Sequence, residues 1–198
     1  MRYAGSPSWL MRIQSPQGLL IGLFVRDAAG LHPPTAVDLP PLEPAVEMRA
    51  GLVPLAVPEA SEQWARWWES ELERPEGQQR GFSRPSARYG DGPELNALVQ
   101  ACFDDAVRWS SERGREDSAA ADEALARADP GPEGDLVARV EAELGRKARP
   151  FELDVTVVPV AGAAGWRAAG THVVVSRALR ADRAAYREWL TPVVRELA

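Results

Sequence analysis

The chain has 198 residues, 45% hydrophobic and 26% charged, which suits one substantial soluble domain that needs no covalent staple. Its net charge of −6 argues against nucleic acid and anionic membrane surfaces as partners, because phosphate binding rests on clustered Lys and Arg. One cysteine (Cys102) and two histidines (His32 and His172) leave no internal disulfide and no zinc-type cluster, so no metal and no cofactor are expected, and the reducing cytoplasm is the expected compartment.

Lys147 is the only lysine, and Ala, Gly, Pro and Arg are abundant. That bias points to GC-rich coding DNA and a bacterial source. Leu19 to Val25 is apolar, but Gly22 interrupts it and Arg26-Asp27 ends it without a small-residue cleavage site, so no signal peptide is expected. No run reaches the ~20 apolar residues of a membrane span.

In chain order, Trp9–Gln14 and Leu19–Val25 flank Ser15-Pro16-Gln17-Gly18, which fits a β-turn. The pair reads as a hairpin with Trp9 opposite Phe24 and Ile13 opposite Leu20. Residues 30–60 carry Pro33, Pro34, Pro40, Pro41, Pro44, Pro54 and Pro58. They are expected to be extended and wrapped over the body, with a short strand near 51–57 as an option. Ser61 opens an expected helix to about Arg74, with Trp64, Trp67, Trp68 and Leu72 at helical spacing. Residues 75–93 read as a loop.

Asp91 and Glu94 form a capping box, with Pro93 in the first turn. The helix that follows places Leu95, Leu98, Val99, Cys102, Phe103, Ala106 and Trp109 on one face and runs to about Arg113. Residues 110–133 turn polar and alanine-rich, which suggests a frayed helix or mobile insertion. A short helix then buries Leu136, Val137, Val140 and Leu144 and stops at Gly145. Phe151, Leu153, Val155 and Val157 alternate with polar residues, and Val173 and Val175 lie on a second strand. An antiparallel pairing of these two strands has residue numbers summing to an even value near 330. The last helix starts near Asp182 and buries Tyr186, Trp189, Leu190, Val193, Val194 and Leu197, with a kink or restart at Thr191-Pro192.

The expected fold is therefore a single α+β domain. It is a two-layer sandwich with a mainly antiparallel sheet of four to five strands, built from two hairpins, and about four helices on one face.

Candidate sites are few. Ser176, His172 and Asp154 invite a triad reading, but His172 and Ser176 lie four residues apart on one strand, about 13 Å at 3.3 Å per residue. A base must reach its nucleophile's proton within about 3 Å, so a polar sheet face with Asp154 opposite Ser176 is the better reading. The glycine-rich stretch 162–170 is followed by a strand and not by a helix, so it is a hairpin loop and not a phosphate cradle. Trp166 and Arg167 at its tip are candidate contact residues, unless Trp166 folds back over the sheet edge. Trp64 and Trp67 either fill the core or present an apolar patch. Arg80, Arg84 and Arg88 recur every four residues beside Tyr89 as a candidate anion site. Cys102 sits on an apolar face as an inert thiol.

With no recognisable catalytic motif, the favoured function is a non-enzymatic binding or interaction module. The expected partner is another protein or a second copy of the chain, met through Trp64, Trp67, Trp166, Arg167, His172 or the arginines. The rival is an enzyme or small-ligand binder with a site between the C-terminal hairpin and the 75–93 loop.

Overall fold

The computed structural model describes residues 2–6, 9–73, 92–126 and 131–198. Among them the elements run β1 (Arg2–Ser6), β2 (Trp9–Gln14), α1 (Gln17–Ala29), a short 3-10 turn (Val53–Leu55), α2 (Pro58–Glu73), α3 (Pro93–Ala126), α4 (Pro132–Leu144), β3 (Phe151–Val158), β4 (Gly165–Ala169), β5 (His172–Ser176), α5 (Arg177–Ala181) and α6 (Arg183–Leu197). No helix among the described residues is long and apolar enough to cross a membrane. The chain divides into two compact units. A sheet unit comprises Met1–Gln14, Glu116–Val158 and Gly162–Ala198, and a helical unit comprises Ser15–Arg115 and Pro159–Ala161.

The sheet unit is α+β, but its sheet is mixed and not mainly antiparallel. The strand order is β1-β2-β3-β5-β4. β1 pairs antiparallel with β2, β2 and β3 run parallel, β3 and β5 run parallel, and β4 closes the edge antiparallel to β5. Two expectations fail here. The expected C-terminal hairpin pairs β3 with β5 in parallel, so Asp154 faces His172 and Val158 faces Ser176. The glycine-rich stretch is no mere loop: it carries β4, which is β5's true hairpin partner, with Trp166 opposite Val174. The turn glycines Gly162 and Gly170 flank this short strand at positive φ (73° and 47°).

The alternation itself holds. Met11, Ile13, Leu153, Val155, Val157, Val173 and Val175 share one face and form a core with Leu136, Val137 and Val140 of α4 and Tyr186, Leu190, Val193 and Val194 of α6. Trp9 stacks on Phe151, with ring centroids 6.2 Å apart, as their register pairing requires. The opposite face is also covered along β3 and β5: Thr156, Val174 and Ser176 are fully buried, and His172 is nearly so. Strands buried on both faces are the habit of parallel sheets.

Helix boundaries follow local chemistry. Gly145 (φ 64°) ends α4, with its N–H and that of Arg146 returning to Ala142 and Glu141 carbonyls, the Schellman pattern. Asp182 caps α6 by accepting from the Ala184 and Ala185 N–H groups at 3.0 Å. α6 runs through Pro192 as one helix and does not restart there. Residues 110–126, expected to fray, complete α3. Among the described residues there are thus six α-helices where about four were expected.

A buried charge group ties α4 to the last helices. Glu133, fully buried in the first turn of α4, accepts from Arg180 Nε and Nη2 at 3.2 and 2.9 Å and from the Tyr186 hydroxyl at 3.4 Å. Burial, reinforced by the Glu133 charge, raises the Tyr186 phenol above its usual range. Burial works against the Arg180 charge, but Glu133 outweighs it, so that guanidinium is held charged.

Gly165, at the head of β4, leaves no room for a side chain. A Cβ there would lie 2.8 Å from the Trp189 ring and 2.9 Å from Leu179. We predict that Gly165→Val lowers stability by about 1–3 kcal/mol, read as an earlier midpoint in urea denaturation. An unchanged midpoint would show that this contact does not constrain the packing of α6.

Candidate functional site

In the helical unit, the expected strand Leu19–Val25 is instead the middle of α1 (Gln17–Ala29), buried on nearly every side. A run that is apolar all round has no period to separate strand from helix. Its length and its stop decide: Gly30 (φ 65°) terminates the helix, with the Gly30 and Leu31 N–H groups bonded to the Asp27 and Arg26 carbonyls. Glycine is needed twice over there, since a Cβ would also meet Met48 Sδ at 2.8 Å.

The last turn of α1 carries Arg26 and Asp27. Arg26 is only 4% exposed, and every nitrogen of its guanidinium is engaged. Nε donates to Asp27 Oδ1 (2.5 Å), Nη1 to the Leu39 carbonyl (3.3 Å) and Nη2 to the Pro40 carbonyl (2.8 Å). The second Asp27 oxygen accepts the Leu42 N–H at 2.6 Å. Together they form a clasp on the proline-rich segment 31–52, here called the strap. The strap is fixed further along its length. Glu43 N–H reaches the Pro159 carbonyl, Ala161 N–H reaches the Pro41 carbonyl, and Arg49 N–H reaches the Ala28 carbonyl, each at 2.8 Å. The Arg49 guanidinium pairs with Asp105 and lies 5.4 Å over the Phe24 ring.

Between strap and helix end lies a cleft of about 570 Å³. Its apolar lining includes Leu31, Val37, Leu39 and Val46, and its polar lining includes the Arg26–Asp27 pair, His32, Thr35 and Asp38. Thr35 Oγ1 donates to the Val37 carbonyl at 2.7 Å. Next to the cleft, against Gly30 of its wall, the strap exposes Met48 (65%), and Val53 (51%) stands exposed in the 3-10 turn that follows; these are the large hydrophobic side chains that stand exposed among the described residues.

The residues singled out from sequence are scattered. Trp64 (0% exposed) and Trp67 (8%) are buried with Trp68 and form no surface patch. Trp64 stacks on Trp68 at 5.2 Å, and its Nε1 donates to the Gly22 carbonyl at 2.7 Å. α2 starts three residues earlier than the Ser61 cap implied, at Pro58. Gln63 on α2 accepts the Leu95 N–H at 2.9 Å. It also bonds Glu94, which holds that carboxyl below its usual range.

Arg80, Arg84 and Arg88 lie outside the described residues, as do Asp91 and most of the 75–93 loop. Trp166 is half-buried on β4, and Arg167 pairs with Glu196 at 2.8 Å. His172 Nε2 bonds the buried Thr156 hydroxyl at 2.8 Å. Ser176 Oγ accepts from the Ala164 and Leu179 N–H groups, both at 3.0 Å, as the N-cap of α5. Asp154, with Glu152, binds Arg12. Glu152 first, then Asp154, hold that guanidinium more firmly charged than usual. The triad residues are thus each committed to separate structural duties.

Sequence reading missed the clasp and the cleft. The available signal was an adjacent cation and anion closing an apolar helix just before a run of donor-poor prolines. No protein-family model, curated protein or solved structure matches the chain.

Two outcomes follow from these assignments. Ser176→Ala removes a cap and a loop tether, and we predict a loss of about 1–2 kcal/mol by thermal or chemical denaturation. A loss near zero would mean that the hydroxyl is not what holds α5. Burial pushes the Cys102 thiol up to about 11, so the native thiol stays neutral at pH 8 and should not react with Ellman's reagent until the chain unfolds. Because the folded value is the higher one, this group's contribution to stability is intact below the unfolded value and declines as pH rises toward the folded one. Rapid colour from native protein at pH 8 would contradict the assignment.

Proposed function

We propose that this chain is a protein-interaction module without catalytic activity of its own, and that the strap of the helical unit is its recognition surface. One observation carries the reading: a cleft of about 570 Å³ beside the exposed Met48, with Val53 exposed a few residues further along the chain. Concave, partly apolar sites with a few convergent polar groups are where ligands and partner side chains are usually received. Exposed large hydrophobic groups next to such a site mark contact surfaces.

The clasp favours the same reading. Proline fixes φ, and the Arg26–Asp27 pair fixes the strap's course, so little ordering remains to oppose binding. The absence of catalysis is supported by the employment of the reactive side chains: Ser176 caps a helix, His172 is bonded to Thr156, and the Cys102 thiol is pushed up by burial. A protein partner, whether a different chain or a second copy, suits these features.

A photo-crosslinking residue placed singly at 48 or 53, with controls at the exposed Arg66 and Glu69 of α2, tests this in the cells that make the protein. Discrete crosslinked products from 48 and 53 and none from 66 or 69 are expected. Equal yields at all four positions, or none at 48 and 53, would sink the proposal.

A further inference from the structure

We infer that the partner is a basic, amphipathic polypeptide segment: a Lys or Arg side chain enters the cleft at Asp38, and its apolar neighbours rest on Met48 and Val53. This builds on the interaction-module reading above and adds the chemistry of the partner.

Arg26 is the cation of the cleft wall, and its three guanidinium nitrogens are already bonded to Asp27, Leu39 and Pro40. It is cancelled in charge by Asp27 and almost fully buried, so it does not draw an incoming anion. Asp27 is likewise used on both oxygens, by Arg26 and by the Leu42 N–H. What remains is the His32 imidazole and the Asp38 carboxylate, both exposed at the cleft, and Asp38 has no ion-pair partner among the described residues.

The backbone adds to the imbalance. Pro33 and Pro41 line the cleft, and Pro34, Pro40 and Pro44 adjoin it in the strap. Each removes an N–H donor, and the Pro33, Pro40 and Pro41 carbonyls already accept from the Thr35 N–H, Arg26 and the Ala161 N–H. Thr35 spends its proton on the Val37 carbonyl, leaving oxygen lone pairs. With the Arg26–Asp27 pair cancelled, Asp38 leaves the wall net negative. The complementary group is a multiple donor with positive charge, an ammonium or guanidinium.

Two further observations set the rest of the partner. Glu43 and Glu47 are exposed on the same strap and also have no ion-pair partner among the described residues, so the local field draws more than one cation. Met48 and Val53 supply the apolar contact that a free amine does not use. A flexible Lys or Arg stem has its own apolar length to lay along Val46 and Leu39 in the cleft. Charge complementarity with adjacent apolar contact thus selects a polypeptide over a small cation.

The test uses the full chain and three probes: a twelve-residue peptide alternating Lys and Leu, its Glu and Leu counterpart, and cadaverine as the small diamine. Binding is followed by NMR shifts and calorimetry. The Lys/Leu peptide should shift residues 31–53. Its affinity should fall about tenfold in Asp38→Asn and again in the pair Met48→Ser with Val53→Ser, as loss of an interfacial charge pair or apolar anchor does. The Glu/Leu peptide should shift nothing. All three substituted side chains are exposed, and circular dichroism confirms that each variant is folded.

Equal response to both peptides, or an affinity indifferent to Asp38→Asn, would overturn the cationic assignment. Cadaverine binding as tightly as the Lys/Leu peptide, with no effect of the Met48 and Val53 changes, would replace the polypeptide with a small amine. Crosslinking retained at 48 and 53 while the Lys/Leu peptide fails would remove this inference alone. Loss of both would remove the interaction-module reading as well.

Discussion

The helical unit depends on a two-residue clasp at the end of one helix. A proline-rich segment packed against a protein has carbonyls to satisfy and few N–H groups of its own. Arg26 answers two of those carbonyls, and Asp27 answers the first free amide beyond them, at Leu42. A buried charge persists when it is paired and hydrogen-bonded, and here each guanidinium nitrogen and both Asp27 oxygens have a partner. Either residue alone would leave an uncompensated ion against Trp64, whose ring lies 5.9 Å from the guanidinium carbon. The course of residues 31–52, and with it the shape of the cleft, is a consequence of that pairing.

The sheet unit applies the same economy to other polar groups. Ser176, set in a fully buried strand, satisfies two backbone amides. His172 and Thr156 satisfy each other across neighbouring strands. Glu133 gathers Arg180 and Tyr186 in one buried cluster. Side chains that resemble catalytic components in the linear sequence are here holding elements together. On the strap, by contrast, Asp38, Glu43 and Glu47 have no ion-pair partner among the described residues and Met48 stands exposed, as does Val53 just beyond the strap. That contrast links packing to function.

Much of this was legible in the residues, and the failures have physical causes. α2, α3, α4 and α6 announce themselves through helical spacing and, for α4, through the stop at Gly145. The period-two set in β3 and β5 correctly assigns the core face. α1 was read as a strand because Leu19 to Val25 is apolar on every side, where periodicity has nothing to report. The parallel pairing was missed because alternation fixes a face and not a direction. The unbroken Val173-Val174-Val175 was the available hint, since a strand covered on both sides belongs to a parallel arrangement. The cleft was invisible because it is made by backbone carbonyls folded back on an arginine from a distant position. The tryptophans drew attention for their size, and it is their size that buries them.

The claim on which the rest turns is that Arg26 fixes the strap locally. Residue-resolved hydrogen exchange of native protein and of Arg26→Met measures this directly. The account predicts that exchange at Leu42 and Glu43 accelerates by about tenfold, the scale of losing charged hydrogen bonds, while Trp64 to Leu72 in α2 keeps its protection. Unchanged exchange at Leu42 and Glu43, or acceleration of equal size in α2, would contradict it.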